Sequence, residues 1–335
     1  MDRSNTVNRY ARQMAVPGFG AASQTRLRDA QVLVVGAGGL AAPLLPALVG
    51  AGIGRIRLAD PDVVDLSNLH RQTLFRMSDI GLPKVEVAAK HLRALNPDTV
   101  IEPVAAALDP SNIAELAAGC MLLLDCADSF AASYILSDFG MADGVPLISA
   151  SVLGTSGYCG GFCGQAPSLR AVFPELPPRL GNCAEDGVVG TAVAVVGALQ
   201  AQMAMAVITA EAPSPLGQLV TFEARGLRFG GFRFLGAEEP AFRPRFITAE
   251  DIRADDWVVD LRAAEEAPLA TPQALRLTAE QVGEAHARPE HMQRAVLCCR
   301  SGARAWRAAE RLATSWDGDI VLAALGQSDA KRKTP

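Results

Sequence analysis

The chain has 335 residues, half of them apolar, a formal net charge of −5 and seven cysteines. That length points to two domains, or one large domain with an appendage, and it supports a sizeable core. The acidic balance leaves no basic footprint and argues against nucleic acid as a partner.

The opening stretch MDRSNTVNRYARQ is polar and has no apolar h-region, so no secretory signal is expected. With cysteines that read as reduced thiols, this points to a cytoplasmic protein. Residues 1–30 form a polar arm that carries RYARQ, including Arg9, Tyr10, Arg12 and Gln13.

Residues 31–62 read as a buried strand (32–35), a turn with Gly36, Gly38 and Gly39, a helix, and a second strand (55–59) that leads into Asp60. The glycines let the backbone turn sharply and let a ligand approach. The helix start offers unpaired N–H groups to phosphate, and an acid about 20 residues on is placed to accept from a ribose hydroxyl. With Ala41 in the third position the turn fits G-x-G-x-x-A, which an NAD-dependent oxidoreductase shows equally well. A P-loop signature is absent. Pro46 removes a hydrogen bond inside the helix.

Asn68, Arg71 and Gln72 come next, then Lys84 at the head of an amphipathic helix with Val85, Ala88, Ala89, Leu92 and Leu95 on one face. Either cation alone reads as a surface charge. Together they suit a nucleoside triphosphate, whose phosphates need neutralising, better than a nicotinamide.

Residues 120–128, CMLLLDCAD, read as a buried strand ending in Asp125 and Asp128. Acids at the carboxyl end of a strand in an open α/β sheet face the ligand crevice. Asp128 suits Mg²⁺, and Asp125 suits the same ion or a bracing role. Alternatively, Asp128 or Ser129 caps the following helix. Residues 145–151 read as the next strand. The apolar run 187–208 is about as long as a membrane span. Gln200, Gln202 and the lack of flanking basic residues make it a fully buried helix, with no membrane role.

In this order and spacing, RYARQ, VLVVGAGGLAAP, LADPDVVDLSNLHRQ, GLPK, LDCADS and NCAEDGVVG resemble the ThiF/MoeB/HesA family of E1-like adenylyltransferases. The resemblance implies an α/β, Rossmann-like adenylation domain with a mixed sheet over residues 1–240. It implies that ATP and Mg²⁺ adenylate the C-terminal glycine of a small ubiquitin-like sulfur-carrier protein ending in Gly-Gly, and that the enzyme is a homodimer. Gly36, Gly38, Gly39, Asp60, Asn68, Arg71, Gln72 and Lys84 are then expected to bind ATP. Asp128 matches the Mg²⁺-binding acid, Arg12 the arginine that reaches the neighbouring subunit's site, and Cys183 a crossover-loop cysteine near the carrier's terminus.

The departures are specific. Ser129 and Ser133 stand where the family has Asn and Arg. Ser168 and Ala171 stand where a first zinc-binding Cys pair would lie, and FRFLGAEEPAF lacks the second. Cys159 and Cys163 have no second pair to complete a tetrahedron, so no zinc is expected. These changes keep a second reading open: a non-catalytic E1-like scaffold that binds a carrier or partner.

Residues 236–245 read as a linker, followed by a short acidic helix, a strand at 257–261, and Asp260 with Arg262. AVLCCRSGARAWRAAERLA then gives strand, tight loop and helix. Cys299 at the loop's start faces a cradle of N–H groups, with Arg300 and Arg304 nearby, which suits a nucleophilic thiolate. Cys298 points to the opposite face. C-R-S-G-A-R resembles the rhodanese-like sulfurtransferase domain, implying a small α/β unit over residues 245–330 whose Cys299 carries a persulfide. It departs where ATPQALRLT replaces the usual His-Ile-Pro-Gly-Ala stretch and where Gly326-Gln327 closes the chain segment. A persulfide donor such as a cysteine desulfurase is the implied sulfur source. The combined expectation is carrier adenylation followed by sulfur transfer to give a thiocarboxylate.

Overall fold

The computed structural model describes residues 9–174, 187–284, 286–290 and 293–326. Two short helices, α1 (Ala11–Met14) and α2 (Gly20–Asp29), lead into β1 (Gln31–Val35). Then follow α3 (Ala41–Ala51), β2 (Arg55–Ala59), α4 (Lys84–Leu95), β3 (Val100–Val104), α5 (Ile113–Ala117), β4 (Leu122–Asp125), α6 (Phe130–Asp143) and β5 (Leu147–Leu153). These strands pair in parallel in the order β3-β2-β1-β4-β5. Strands β1 and β4 are buried on both faces, as a parallel sheet between helical layers requires. The order reverses between β1 and β4, and an open α/β sheet offers its ligand crevice at that point.

Three antiparallel strands extend the sheet: β6 (Ser156–Phe162), β7 (Gln218–Glu223) and β8 (Arg228–Arg233). The result is the mixed, mainly parallel sheet expected from the sequence. Between β6 and β7 lie the one-turn helix α7 (Leu169–Val172) and the long helix α8 (Gly190–Thr209). Helix α8 packs along β5 and β6 and against α3. By length and composition it is apolar enough to cross a membrane. Its burial is one-sided and not complete as the sequence suggested: Thr191, Ala194, Ala198 and Gln202 form an exposed stripe at helical spacing.

A second sheet follows, with order β11-β10-β12-β13-β9, all parallel. Its strands are β9 (Arg245–Ile247), β10 (Trp257–Asp260), β11 (Leu275–Arg276), β12 (Ala295–Cys299) and β13 (Ile320–Ala324). Helix α9 (Ala303–Ala313) buries Ala305, Trp306, Ala308, Ala309 and Leu312 against β12 and β13. The acidic helix expected before β10 is absent, and residues 248–256 are turns. Asp251 accepts from the Thr248 N–H and hydroxyl, and Asp256 from the Arg253 N–H. Acids that bond nearby backbone N–H groups favour turns over a helix interior.

The core has a separate cluster on each side of the large sheet. One fills the space under α3, α4 and α8. The other runs from Leu33, Leu123 and Tyr134 without a break to Val259, Cys299 and Trp306 of the second sheet. Helix α6 is the bridge, since its Phe130 ring lies 5.5 Å from Trp306 and 6.4 Å from Phe246, and its Tyr134 ring 4.8 Å from Trp306. Such aromatic pairs add ~1 kcal/mol each beyond the area they bury.

Candidate active site

The glycine turn leaves β1 and passes over the end of β4. Gly36 has φ +96, and a Cβ added there would lie 2.5 Å from the Cys126 carbonyl oxygen. Only glycine lets the two loops approach this closely. The Gly36 N–H donates to the Ala59 carbonyl and the Cys126 N–H to the Val35 carbonyl, both at 2.8 Å. The ends of β1, β2 and β4 are thereby tied together beneath the turn.

Asp60, at the end of β2, is buried and uses its carboxylate on this loop cluster. One oxygen accepts from the Ala37 N–H at 2.7 Å and the other from the Asp62 N–H at 2.8 Å. Burial pushes its pKa up, and the Lys84 charge and these N–H groups oppose the rise. From its spacing, Asp60 is expected to accept from a ribose hydroxyl. In the structure it braces the turn, leaving one further acceptor site on each oxygen.

Lys84 begins α4 and is buried, with Nζ 3.0 Å from the largely exposed Asp62 carboxylate. Asn68 ends, and Arg71 follows, a turn capped by Asp65, which accepts from the Ser67 N–H at 2.7 Å. Arg71 donates to the Ser67 carbonyl at 3.2 Å, and its stem lies along Gly39. Gln72 reaches Gly38, is only 3% exposed, and has an Oε1 with no partner among the described residues. A buried acceptor without a donor costs ~1–3 kcal/mol, which a ligand N–H or O–H at that atom relieves.

The N-terminus of α8 closes the same place. An added Cβ on Gly190 would lie 2.5 Å from the His70 carbonyl oxygen, and one on Gly39 would lie 2.8 Å from Val193. The start of a 20-residue helix is thereby brought to the glycine turn. Farther along α8, the buried Gln200 donates to the carbonyls of Asp125 at 2.7 Å and Ile148 at 3.1 Å.

Asp125 ends β4 fully buried. Its carboxylate accepts from the Ser149 hydroxyl at 2.7 Å and the Ala127 N–H at 3.2 Å. Burial raises its pKa to about 6, against the pull of the Ser133 and Ser149 hydroxyls, and the nearby Asp128 charge adds to the rise. The folded state therefore holds this proton more tightly than the unfolded chain. The resulting stability is present below the ordinary carboxylate range and is lost as pH rises through about 6. Thermal melts from pH 5 to 7.5 should show a decline of about 1.4 kcal/mol, and Asp125→Asn should remove that component. An unchanged slope in the variant would contradict the assignment.

Asp128 is exposed, and no hydrogen bond or ion pair is recorded for it among the described residues. It stands just before Ser129, the residue preceding α6, and that serine side chain makes no cap hydrogen bond. The glycine turn, Lys84, Arg71, Gln72 and the Asp125–Asp128 loop thus meet at the carboxyl ends of the parallel strands. A single exposed carboxylate fits Mg²⁺, which is usually held by one or two carboxylates together with phosphate oxygens and water.

Other candidates lie elsewhere. Arg9, Tyr10 and Gln13 pin the polar arm: Arg9 donates to the Leu95 carbonyl, the Tyr10 hydroxyl accepts from Asn96, and Gln13 donates to the Ala51 carbonyl. Arg12 between them is exposed. Cys183 falls outside the described residues. Cys159 and Cys163 belong to different core clusters, and no group of three or more His, Cys, Asp or Glu forms a metal-ligand set among the described residues. A cavity of about 640 Å³ lies at the opposite, amino-terminal ends of the strands, lined by Tyr10, Gln24, Arg28, Gly54 and Asp98. None of the crevice residues reaches it.

Cys299 ends β12 and is 1% exposed. Its Sγ accepts from the Gly302 N–H at 3.1 Å and the Ala305 N–H at 3.4 Å, the cradle expected of this loop. Arg304 is turned mainly to Glu266, at 2.8 Å, and to the Leu261 carbonyl, at 2.9 Å. Cys298 faces the other side of the sheet, where burial raises its pKa to about 12.

A profile of the ThiF family matches residues 10–241. The chain belongs to the ThiF family. A SAMP-activating enzyme E1 of Haloferax volcanii is 37% identical over 225 residues, covering 67% of this chain and 83% of that protein. An adenylyltransferase and sulfurtransferase uba4 of Aspergillus terreus is 43% identical over 212 residues, covering 60% of this chain and 44% of that protein. The chain thus spans about half the length of the uba4 and MOCS3 relatives it matches. Among solved structures, E. coli MccB with ATP is 21% identical with a TM-score of 0.60, over 70% of this chain and 73% of that one. At that identity the likeness is one of fold.

The sequence reading of the ThiF-family site left out Asp62 as the partner of Lys84 and Ser149 as the partner of Asp125. It also left out Gln200 as a brace. The last had a visible signal, since a glutamine in the middle of an apolar helix needs buried partners.

Proposed function

We propose that this chain adenylates the C-terminal carboxylate of a small ubiquitin-like sulfur carrier with ATP, and then transfers sulfur to it from Cys299. What supports this reading is the close approach of the glycine turn to Arg71, Gln72 and the loop that leads into Asp128, with Lys84 tied to the same turn through Asp62 and Asp60, in a ThiF-family chain. The names of the archaeal and fungal relatives support the same substrate class.

In the first step the carrier's carboxylate oxygen attacks the α-phosphorus. The bond to the bridging oxygen breaks and pyrophosphate leaves. Arg71 and Lys84 offset the charge that builds on the leaving group, and the α8 N-terminus adds a fixed dipole. Asp128 is the residue to hold Mg²⁺, which when bound neutralises phosphate charge. Exposed Arg12, and the exposed stripe of α8, support a homodimer in which a second copy completes the site.

In the second step the terminal sulfur of a Cys299 persulfide attacks the acyl carbon and AMP leaves, giving an acyl disulfide. A second thiol, for which Cys183 is the candidate, attacks the Cys299 sulfur. The thiocarboxylate is released, and the resulting disulfide is reduced by an external dithiol. Residues 1–240 carry the first step, and the rhodanese-like unit at 245–330 supplies the persulfide for the second.

The test is a division of labour. Cys299→Ala should keep carrier-dependent ATP–pyrophosphate exchange within about twofold while abolishing thiocarboxylate, read by mass spectrometry of the carrier. Thiocarboxylate formation by the variant would refute the role of Cys299.

A further inference from the structure

A buried cation joins α6 to the second sheet beside the aromatic contacts of Phe130 and Tyr134. Arg170, in α7, is 1% exposed. Its Nε and Nη2 pair with the Asp138 carboxylate of α6 at 2.6 Å, and Nη2 also donates to the Pro244 carbonyl at 3.1 Å. The guanidinium lies 4.6 Å from the Trp306 ring of α9 and 5.2 Å from the Tyr134 ring of α6. One side chain thus touches α6, the segment entering β9, and α9. Beside it, Ser168 bonds both oxygens of Glu239 through its N–H and hydroxyl, at 2.7 and 2.6 Å.

Stability alone does not explain such a residue. The Asp138 side chain is 38% exposed, so this ion pair gains little, and the buried Arg170 Nη1 has no partner among the described residues. Its geometry specifies position: a planar cation stacked on two rings and forked onto one carboxylate. What it positions is the Cys299 loop. The Ala131 N–H of α6 donates to the Ser301 carbonyl at 3.1 Å. An added Cβ on Gly302 would lie 3.3 Å from the Ala131 Cβ. The loop is docked on the first turn of α6, three residues past Asp128, with its thiol sealed.

We propose that Arg170 is a positioning residue, a latch that holds the Cys299 loop docked against α6 and closed to reagents, and whose release admits the persulfide donor. This rests on the reading of Cys299 as the sulfur acceptor. On loading, the Cys299 thiolate attacks the outer sulfur of a donor persulfide. The donor's S–S bond breaks, a new one forms on Cys299, and the donor leaves as a thiol, with no net oxidation. The loaded loop then docks beside the crevice.

Alkylation by iodoacetamide, mapped by peptide mass spectrometry, tests the latch without requiring any sulfur transfer. In the full chain, Cys299 should label at least about tenfold faster in Arg170→Ala and in Asp138→Asn than in the wild type. Arg170→Lys, which keeps the charge but not the fork, should fall between. Cys126 and Cys159, buried under the large sheet, should not accelerate. The proposal is overturned by equal Cys299 rates in wild type and variants. It is also overturned by wild-type labelling as fast as an exposed thiol, or by an equal rise at all cysteines. A latch that behaves as expected in a protein that makes no thiocarboxylate would refute the sulfur-transfer reading alone.

Discussion

Asp128→Ala is expected to lower carrier-dependent ATP–pyrophosphate exchange by about 10²–10³-fold, the usual cost of removing a charge aimed at a reacting phosphate. Among the described residues, neither neighbouring acid is placed to substitute for it. Asp125 is buried behind it with its oxygens engaged by Ser149 and Ala127, and Asp62 is paired with Lys84. Because Asp128 is exposed, its removal should change stability by less than ~0.5 kcal/mol. Exchange at saturating ATP, measured alongside a thermal melt, separates the two effects. A loss of less than about threefold with an intact fold would remove Asp128 from the mechanism.

Gly36→Ala should damage both fold and site. The residue sits at φ +96, which costs a side-chain-bearing residue ~1–2 kcal/mol. Its Cβ would lie 2.5 Å from the Cys126 carbonyl oxygen, a backbone atom that cannot turn aside. Relief requires the Cys126–Asp128 loop to move away from the turn. The expected loss is about 3 kcal/mol in chemical denaturation, with ATP affinity at least tenfold weaker by calorimetry. Gly38→Ala is the matched control, since its Cβ would meet only the Gln72 Nε2, at 3.7 Å. It should cost less than ~1 kcal/mol. Equal losses in the two variants would contradict the close approach of the two loops.

Local chemistry made much of this fold legible in the sequence. The strand 55–59 appears with the expected bounds, and the alternation at Cys298 and Cys299 places them on opposite faces as expected. Both follow from short-range rules: an apolar run between turn residues, and the two-residue period of a strand. The acids before β10 misled because local spacing does not say whether a carboxylate will cap a helix or tie a turn. Asp251 and Asp256 tie turns. Helix α8 misled in another way. Composition reported its hydrophobicity but not which face would meet the sheet.

At the site, the sequence supplied the residue types and the fold supplied their roles. Asp60 was readable as an acid at a strand end. That its oxygens would accept from Ala37 and Asp62 depends on the path of the glycine turn, which no spacing encodes. The docking of the Cys299 loop was beyond reach for the same reason. It depends on α6, α7 and α9 converging on Arg170 from distant parts of the chain.

The central claim is that this crevice aligns ATP for attack by a peptide carboxylate. ATP–pyrophosphate exchange, measured with a ubiquitin-like carrier ending in Gly-Gly and with the same carrier lacking that dipeptide, tests it most directly. The account predicts exchange with the intact carrier and background rates with the truncated one or with none. Exchange that proceeds equally without the carrier would contradict it.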